Sequence, residues 1–328
     1  MNITTTYMGL ELKNPLIVSS SRLTGDLKTV TQCLEAGAGA IVLKSLFEEQ
    51  IRMVSESKLW EGKDTDIYFW FPEAKEQMMN LAFEANLDNY LDFVNMVKKE
   101  SDVPVISSIN CVSEEGWPKF ATAIQEAGAD ALELNIAIFP FNDSQECKRI
   151  EDTYVDIVKE VKKHVTIPVS VKLGYYFTNL CLVAKRLVDA GADGLVFFNR
   201  YFRPDIDTET LEVITDNYLS SPVESLVSMR WIALMTGNKL GADLVASTGV
   251  HDALGVAKQI LVGARAVQLC TTLYLNGIEV IPTIEQGLMR WMEDHGFESL
   301  DDFRGLSLEK QTTDASFERV QYMKRDYE

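Results

Sequence analysis

A (β/α)8 barrel of the TIM type is the fold this 328-residue sequence predicts, on three observations. A phrase made of a helix end, a Gly-Ala turn and a short apolar run recurs five times: EAGAGAIVLK (35–44), EAGADALELN (126–135), DAGADGLVFFN (189–199), LGADLVAST (240–248) and VGARAVQLC (262–270). Three more apolar runs, LIVS (16–19), VPVISSIN (103–110) and IPVSVKL (167–173), bring the candidate strands to eight. Between them lie amphipathic segments such as YLDFVNMVKKE, YVDIVKEVKKH and CLVAKRLVDA. Eight βα units point to a barrel. An open doubly wound sheet is the competing fold; it usually carries a glycine-rich turn after an early strand, and no GxGxxG occurs.

In chain order the strands are expected near 16–19, 40–44, 105–109, 131–135, 169–172, 195–198, 244–247 and 266–269. Each is mainly apolar, which marks a parallel strand covered on both faces. The glycine of each repeat suits the left-handed residue that ends a helix. Residues 1–328 read as one barrel domain with an insertion between the second and third strands, about 46–100.

The composition, 46% hydrophobic and 24% charged, supports a large core. A net charge of −18 argues against nucleic acid or an anionic membrane as partner. Cysteines 33, 111, 147, 181 and 270 are scattered, with no CxxC and no zinc or iron–sulfur spacing. That pattern predicts no metal and suits reduced thiols in the cytoplasm. The opening MNITTTYMGLELKNP does not read as a signal peptide, and no apolar run reaches the length of a membrane helix.

Barrel strands present their C-terminal ends at one mouth, where active sites lie. Those ends read Ser19-Ser20-Ser21, Lys44-Ser45, Ser108-Ile109-Asn110, Asn135, Lys172, Asn199-Arg200, Ser247-Thr248-Gly249 and Cys270-Thr271-Thr272. A single one could be a strand end meeting water. Two lysines and three asparagines converging on a mouth point instead to a polar ligand, because an unpaired buried charge is costly. The loops after the last two strands, ASTGVHD and QLCTTL, offer hydroxyls and backbone N–H groups before the helix HDALGVAKQIL. They suit a phosphate; a pair of Ser/Thr helix caps is the other reading.

LKNPLIVSSS, AGAGAIVLKS, ALELNIA, IPVSVKL, VASTGVHDALGVAKQILVGARAVQLCTTL and GFESLDDFRG, in that order, resemble the class 1 dihydroorotate dehydrogenases over nearly the whole chain. The resemblance implies a flavin enzyme that oxidises dihydroorotate to orotate in pyrimidine biosynthesis, with FMN at the mouth. It also implies a homodimer and a separate electron-transfer partner. By position, Ser19, Ser20 and Ser21 would lie along the flavin ring, with Lys44, Ser45 and Ser108 at its edge. Asn135 would reach flavin and substrate, and Lys172 would stabilise the reduced ring. Phe198 would lie near the ring. Lys44, Asn135, Asn199 and Arg200 would face substrate, and Ser247, Thr248, Gly249, Cys270 and Thr271 the phosphate.

Three departures accompany the resemblance. The family's N-L-S-C-P-N pattern, whose cysteine is the base, corresponds here to Asn135, Ile136, Ala137, Ile138, Phe139 and Pro140, so the base position holds Ile138. Asp143, Ser144, Glu146 and Cys147 are nearby groups that could supply a base in its place, with Cys147 the candidate substitute. No N-S-M-G-L-P-N pattern follows strand two, where Tyr68, Phe69, Trp70 and Phe71 form an aromatic cluster. PVESLVSMRW lacks the family's glycine pair, which affects phosphate contact near Ser225 and Leu226. Three functions stay open: the dihydroorotate reaction, an FMN reaction on another cyclic amide or enone such as a dihydropyrimidine, and a ligand-binding barrel without catalysis. For Arg200 and Arg203, an anion site and a surface salt bridge are equal readings.

Overall fold

The apolar runs are strands that pair in parallel and close on themselves. The computed structural model describes residues 1–53, 72–139, 141, 143, 146–201, 203–214, 219–309 and 317–318. The aromatic cluster 68–71 lies outside the described residues, as do Pro140 and Ser144. In chain order the strands are β1 (Thr5–Tyr7), β2 (Leu10–Leu12), β3 (Leu16–Val18), β4 (Ala40–Val42), β5 (Leu46–Phe47), β6 (Val105–Asn110), β7 (Ala131–Asn135), β8 (Val169–Leu173), β9 (Gly194–Phe197), β10 (Asp205–Ile206), β11 (Val213–Ile214), β12 (Asp243–Ser247) and β13 (Ala266–Leu269). The sheet runs β4-β3-β13-β12-β9-β8-β7-β6, and β4 pairs with β6 through Ile41↔Val105 and Val42↔Ile106. That pairing closes an eight-stranded barrel and rules out the open sheet.

The expected strand 40–44 is interrupted. β4 stops at Val42, and β5 resumes the same position against the end of β6, with Leu46↔Ile109. Between them the Lys44 N–H donates to Thr24 O at 3.0 Å, so the backbone turns out of the sheet at Lys44.

Around the barrel lie α1 (Leu27–Glu35), α2 (Pro72–Glu100), α3 (Gly116–Glu126), α4 (Cys147–His164), α5 (Leu180–Asp189), α6 (Ser225–Gly237), α7 (Ala253–Leu261), α8 (Thr271–Asn276), α9 (Val280–His295) and α10 (Leu306–Glu309). Helical spacing of the apolar residues decides which face is buried: Trp117, Phe120, Ala121 and Ile124 in α3; Leu180, Val183, Ala184 and Leu187 in α5. Asp26, Asn179 and Asp252 cap the starts of α1, α5 and α7. The five repeat glycines, at 37, 128, 191, 241 and 263, all have φ between +83° and +111°. They turn the chain from helix to strand, as the repeat implied. No described helix is long and apolar enough to cross a membrane.

Strand alternation divides the apolar residues into two cores. The larger lies between barrel and helices. The smaller fills the barrel interior with Ile17, Ala40, Val42, Ile106, Ala131, Val196, Val245 and Ala266, sealed by Tyr7, Met8 and Leu12. These three belong to an antiparallel hairpin, β1–β2, that the sequence reading did not pick out. Met8 and Gly9, at φ +53° and +78°, form its two-residue turn. Gly194 admits the hairpin: a Cβ there would lie 2.8 Å from the Tyr7 ring.

Candidate active site

At the end of the barrel where the strands finish, the inward positions change from apolar to polar. Ser19, Ser108, Glu133, Lys172, Ser247 and Gln268 are all buried. Lys172 Nζ donates to Ser19 Oγ at 3.1 Å and to Gln268 Oε1 at 2.8 Å. It also lies 3.5 Å from Glu133 Oε1, an oxygen that makes no hydrogen bond. Gln268 Nε2 donates to the other Glu133 oxygen, and Ser19 Oγ to Gln268 Oε1 at 3.0 Å. A buried ammonium is thereby neutralised from below and held by two further oxygens. Glu133 and Gln268 were missed in the sequence. Their signal was a polar residue interrupting an apolar run, in ALELN and AVQLC.

Two hydrogen-bonded chains edge the mouth. Ser20 Oγ is 3.1 Å from Ser45 Oγ, which is 2.7 Å from Ser108 Oγ. Asn199 Nδ2 donates to Asn135 Oδ1 at 2.8 Å, and Asn110 Nδ2 to the Asn135 carbonyl at 2.8 Å. The pairing Asn135↔Lys172 in β7 and β8 puts these two polar ends side by side. Lys44 is exposed, with its stem beside Gly25. Ser21 accepts from the Leu23 N–H and caps the short turn Arg22–Thr24.

The last two strand ends and the segment 220–225 enclose the rest. A cavity of about 200 Å³ is lined by Ser19, Ser20, Lys172, Asn199, Arg200, Ser220, Ser247, Thr248, Gly249, Gln268, Cys270 and Thr271. Gly249 has φ +81°, and a Cβ on it would lie 2.3 Å from the Ser225 nitrogen. No other residue fits that approach. Its N–H donates to Ser220 Oγ at 3.3 Å; Ser220 Oγ in turn donates to Thr271 Oγ1 at 3.0 Å and sits 3.3 Å from His251 Nε2. Burial lowers the His251 pKa below its ordinary value, so the ring is neutral at pH 7. Burial raises the Cys270 thiol. Thr248 holds φ +73°, rare for a β-branched residue, with its hydroxyl donating to Phe198 O at 3.1 Å. Ser225 is buried and Leu226 exposed. Ser220 and His251 carried no sequence signal; Ser220 lies 51 residues from Thr271.

Ile138 and Cys147 do not line that cavity. They line another, of about 350 Å³, with Tyr154, Tyr175, Tyr176 and Tyr201. Ile138 packs against the outer core, and its N–H donates to Tyr154 Oη at 3.3 Å. Cys147 is exposed as the first residue of α4; Asp143 and Glu146 are exposed too. Arg200 reaches the polar cavity but pairs with Glu224 at 3.3 Å, as does Arg203 at 2.9 Å. Among the described residues no group of three or more His, Cys, Asp or Glu side chains is placed to hold a metal ion.

Comparison with known proteins shows a family. The family model described as dihydroorotate dehydrogenase matches residues 2–292. The chain is 27% identical to the catalytic subunit of dihydroorotate dehydrogenase B (NAD(+)) of Thermoplasma volcanium, over 94% of this chain and 99% of that protein. It is 27% identical to a putative dihydroorotate dehydrogenase A (fumarate) of Aeropyrum pernix, over 90% and 94%. It is 23% identical to the chloroplastic dihydropyrimidine dehydrogenase (NADP(+)) of Arabidopsis thaliana, over 95% and 78%.

Proposed function

The chain belongs to the dihydroorotate dehydrogenase family, and on that premise we propose that it is an FMN-dependent oxidoreductase acting across a CH–CH bond. The observation that carries the reading is Lys172, a buried ammonium at the wall of a donor-rich cavity. The residues fit FMN chemically. Lys172, Ser19 and Ser20 would hold the ring, with Lys44, Ser45 and Ser108 on its far side. Thr248, Ser247, Cys270 and Thr271 would hold the phosphate together with the Gly249 N–H, which here donates to Ser220 Oγ. When bound, FMN supplies a two-electron hydride acceptor. Lys172 supplies fixed positive charge against negative charge on the reduced ring, and the buried Glu133 beneath it restrains the ammonium. Asn135 and Asn199, already bonded to each other, orient a substrate amide or carbonyl by exchanging that bond for one to the ligand.

The substrate we propose is a cyclic amide or enone other than dihydroorotate. Ile138 can neither accept nor release a proton, and Cys147 shares its cavity rather than that of Lys172. The Arabidopsis relative is named for a dihydropyrimidine. We further propose a homodimer served by a separate electron-transfer chain; the Thermoplasma relative is named a catalytic subunit, and the five scattered cysteines offer no cluster spacing.

The test is the visible spectrum of the purified protein and quenching of added FMN fluorescence. Colourless protein that quenches no FMN would leave the non-catalytic barrel as the reading. Gly249→Val is expected to weaken FMN binding, because the side chain would displace the Ser225 backbone. Anaerobic bleaching by dihydroorotate is expected to be weak or absent, and faster with dihydrouracil.

A further inference from the structure

The cavity that holds Ile138 is lined by phenol rings. Tyr175 and Tyr176 have centroids 4.4 Å apart, and Tyr176 and Tyr201 5.5 Å. Phe139 meets the edges of Tyr176 and Tyr201 at 5.2 and 5.9 Å. Tyr175 also touches Phe198 at 6.0 Å, and Thr248, on the wall of the polar cavity, bonds to the Phe198 carbonyl. The two cavities are therefore neighbours across one pair of rings, and the segment after β9 contributes to both, Tyr201 to one and Asn199 and Arg200 to the other.

From this we infer that the tyrosine-lined cavity is a subsite for an uncharged, planar ring carried by the substrate. The inference rests on the oxidoreductase reading for the word substrate, but not for the binding itself. The volume, about 350 Å³, is at the small end of ligand pockets and suits a single ring with a substituent. Aromatic walls favour a planar guest through offset and edge contacts. Tyr176 remains 44% exposed on the cavity wall, so a guest gains by covering it.

Charge selects the class. Among the described residues no lysine or arginine lines this cavity, while Glu151 does. The nearby guanidinium groups are already engaged: Arg186 with Asp152 and Glu151, Arg203 with Glu224. Tyr176 donates to Tyr175 Oη at 3.2 Å. That hydrogen bond, with burial, pushes the Tyr176 pKa up to about 12, so Tyr176 is a neutral donor at pH 7. A carboxylate placed here would lose its water without gaining a counter-ion, whereas an amide or carbonyl loses far less.

The experiment titrates the full-length protein with benzamide and benzoate, two probes with the same ring and different charge, by ligand-observed NMR at millimolar concentration. Benzamide is expected to bind saturably and benzoate about tenfold more weakly, a ratio corresponding to ~1.4 kcal/mol. Tyr176→Ala should weaken benzamide binding without changing FMN quenching. Thr178 is exposed on the cavity rim, so Thr178→Arg keeps the fold and should reverse the preference towards benzoate. Benzoate binding as tightly as benzamide, binding of neither, or indifference to both substitutions overturns the inference. Failure to bind FMN with benzamide selectivity intact would sink the oxidoreductase reading alone. Normal FMN binding without selectivity would sink the subsite alone.

Discussion

Lys172 Nζ faces oxygens of Ser19, Gln268 and Glu133, which come from three other parts of the barrel. Removing the anion leaves the ammonium buried and uncompensated. Glu133→Leu is therefore expected to cost ~3–5 kcal/mol, and Glu133→Gln, which still accepts from Gln268, ~1–3 kcal/mol. Urea unfolding of both variants checks the order; a leucine variant as stable as the native protein would contradict the ion pair's role, and one as stable as the glutamine variant would contradict that of the Gln268 hydrogen bond. At the base position, Ile138→Cys should leave dihydroorotate-dependent flavin reduction low, because the side chain lines the tyrosine cavity and not the one that holds Lys172. A rise of ~10²–10⁴ in stopped-flow bleaching would show that position 138 reaches the bond being oxidised. Cys147→Ala should change nothing in the same assay. Lys172, Asn135 and Asn199 were legible in the sequence because each ends an apolar run with a polar group. Glu133 and Gln268 were not, because a polar residue inside a strand has no partner until neighbouring strands are known.

Single elements are fastened by interactions that cross between them. Glu48, just after β5, accepts from the Val112 and Ser113 N–H groups at 2.8 and 2.9 Å and from Ser113 Oγ at 2.6 Å. It thereby ties the end of the second barrel strand to the loop leading into α3. Burial raises its pKa, but the hydrogen bonds from Ser113 and Val112 and the Arg52 guanidinium outweigh this, so the net shift is downward. A folded pKa below the unfolded one means stability that is present above the ordinary carboxylate range and lost as pH falls through the folded value. Glu48→Gln should thus cost ~1–3 kcal/mol at pH 7. The gap to the native protein should close on acidification below pH ~4; denaturant midpoints across pH would expose a gap that persists. Helix positions were readable because capping residues and the i, i+3, i+4 pattern are local. The break of the second strand at Lys44 was not, since the carbonyl that accepts the Lys44 N–H belongs to Thr24, in a turn distant in sequence.

At the scale of the molecule, the barrel needs a floor, and the β1–β2 hairpin provides it. Leu12 is 1% exposed in the interior core, so Leu12→Ala should cost ~2–5 kcal/mol through the cavity it leaves. Thermal unfolding measures it, and a loss under 1 kcal/mol would mean the floor collapses to fill the space. The sequence by itself determined the eight strands and their order, the helix turns and the polar mouth, since periodicity, the left-handed glycine and strand-end polarity are all properties of short segments. It also carried the family, through motifs kept in one order. The tertiary structure alone decided the closure through β4 and β6, the hairpin floor, the Lys172–Glu133–Gln268–Ser19 cluster and the separation of Ile138 from the polar cavity. Ser19 and Gln268 stand 249 residues apart, and Glu133 and Gln268 135. Alternation along a strand says that each points inward, but only the register of the closed sheet says which of them meet.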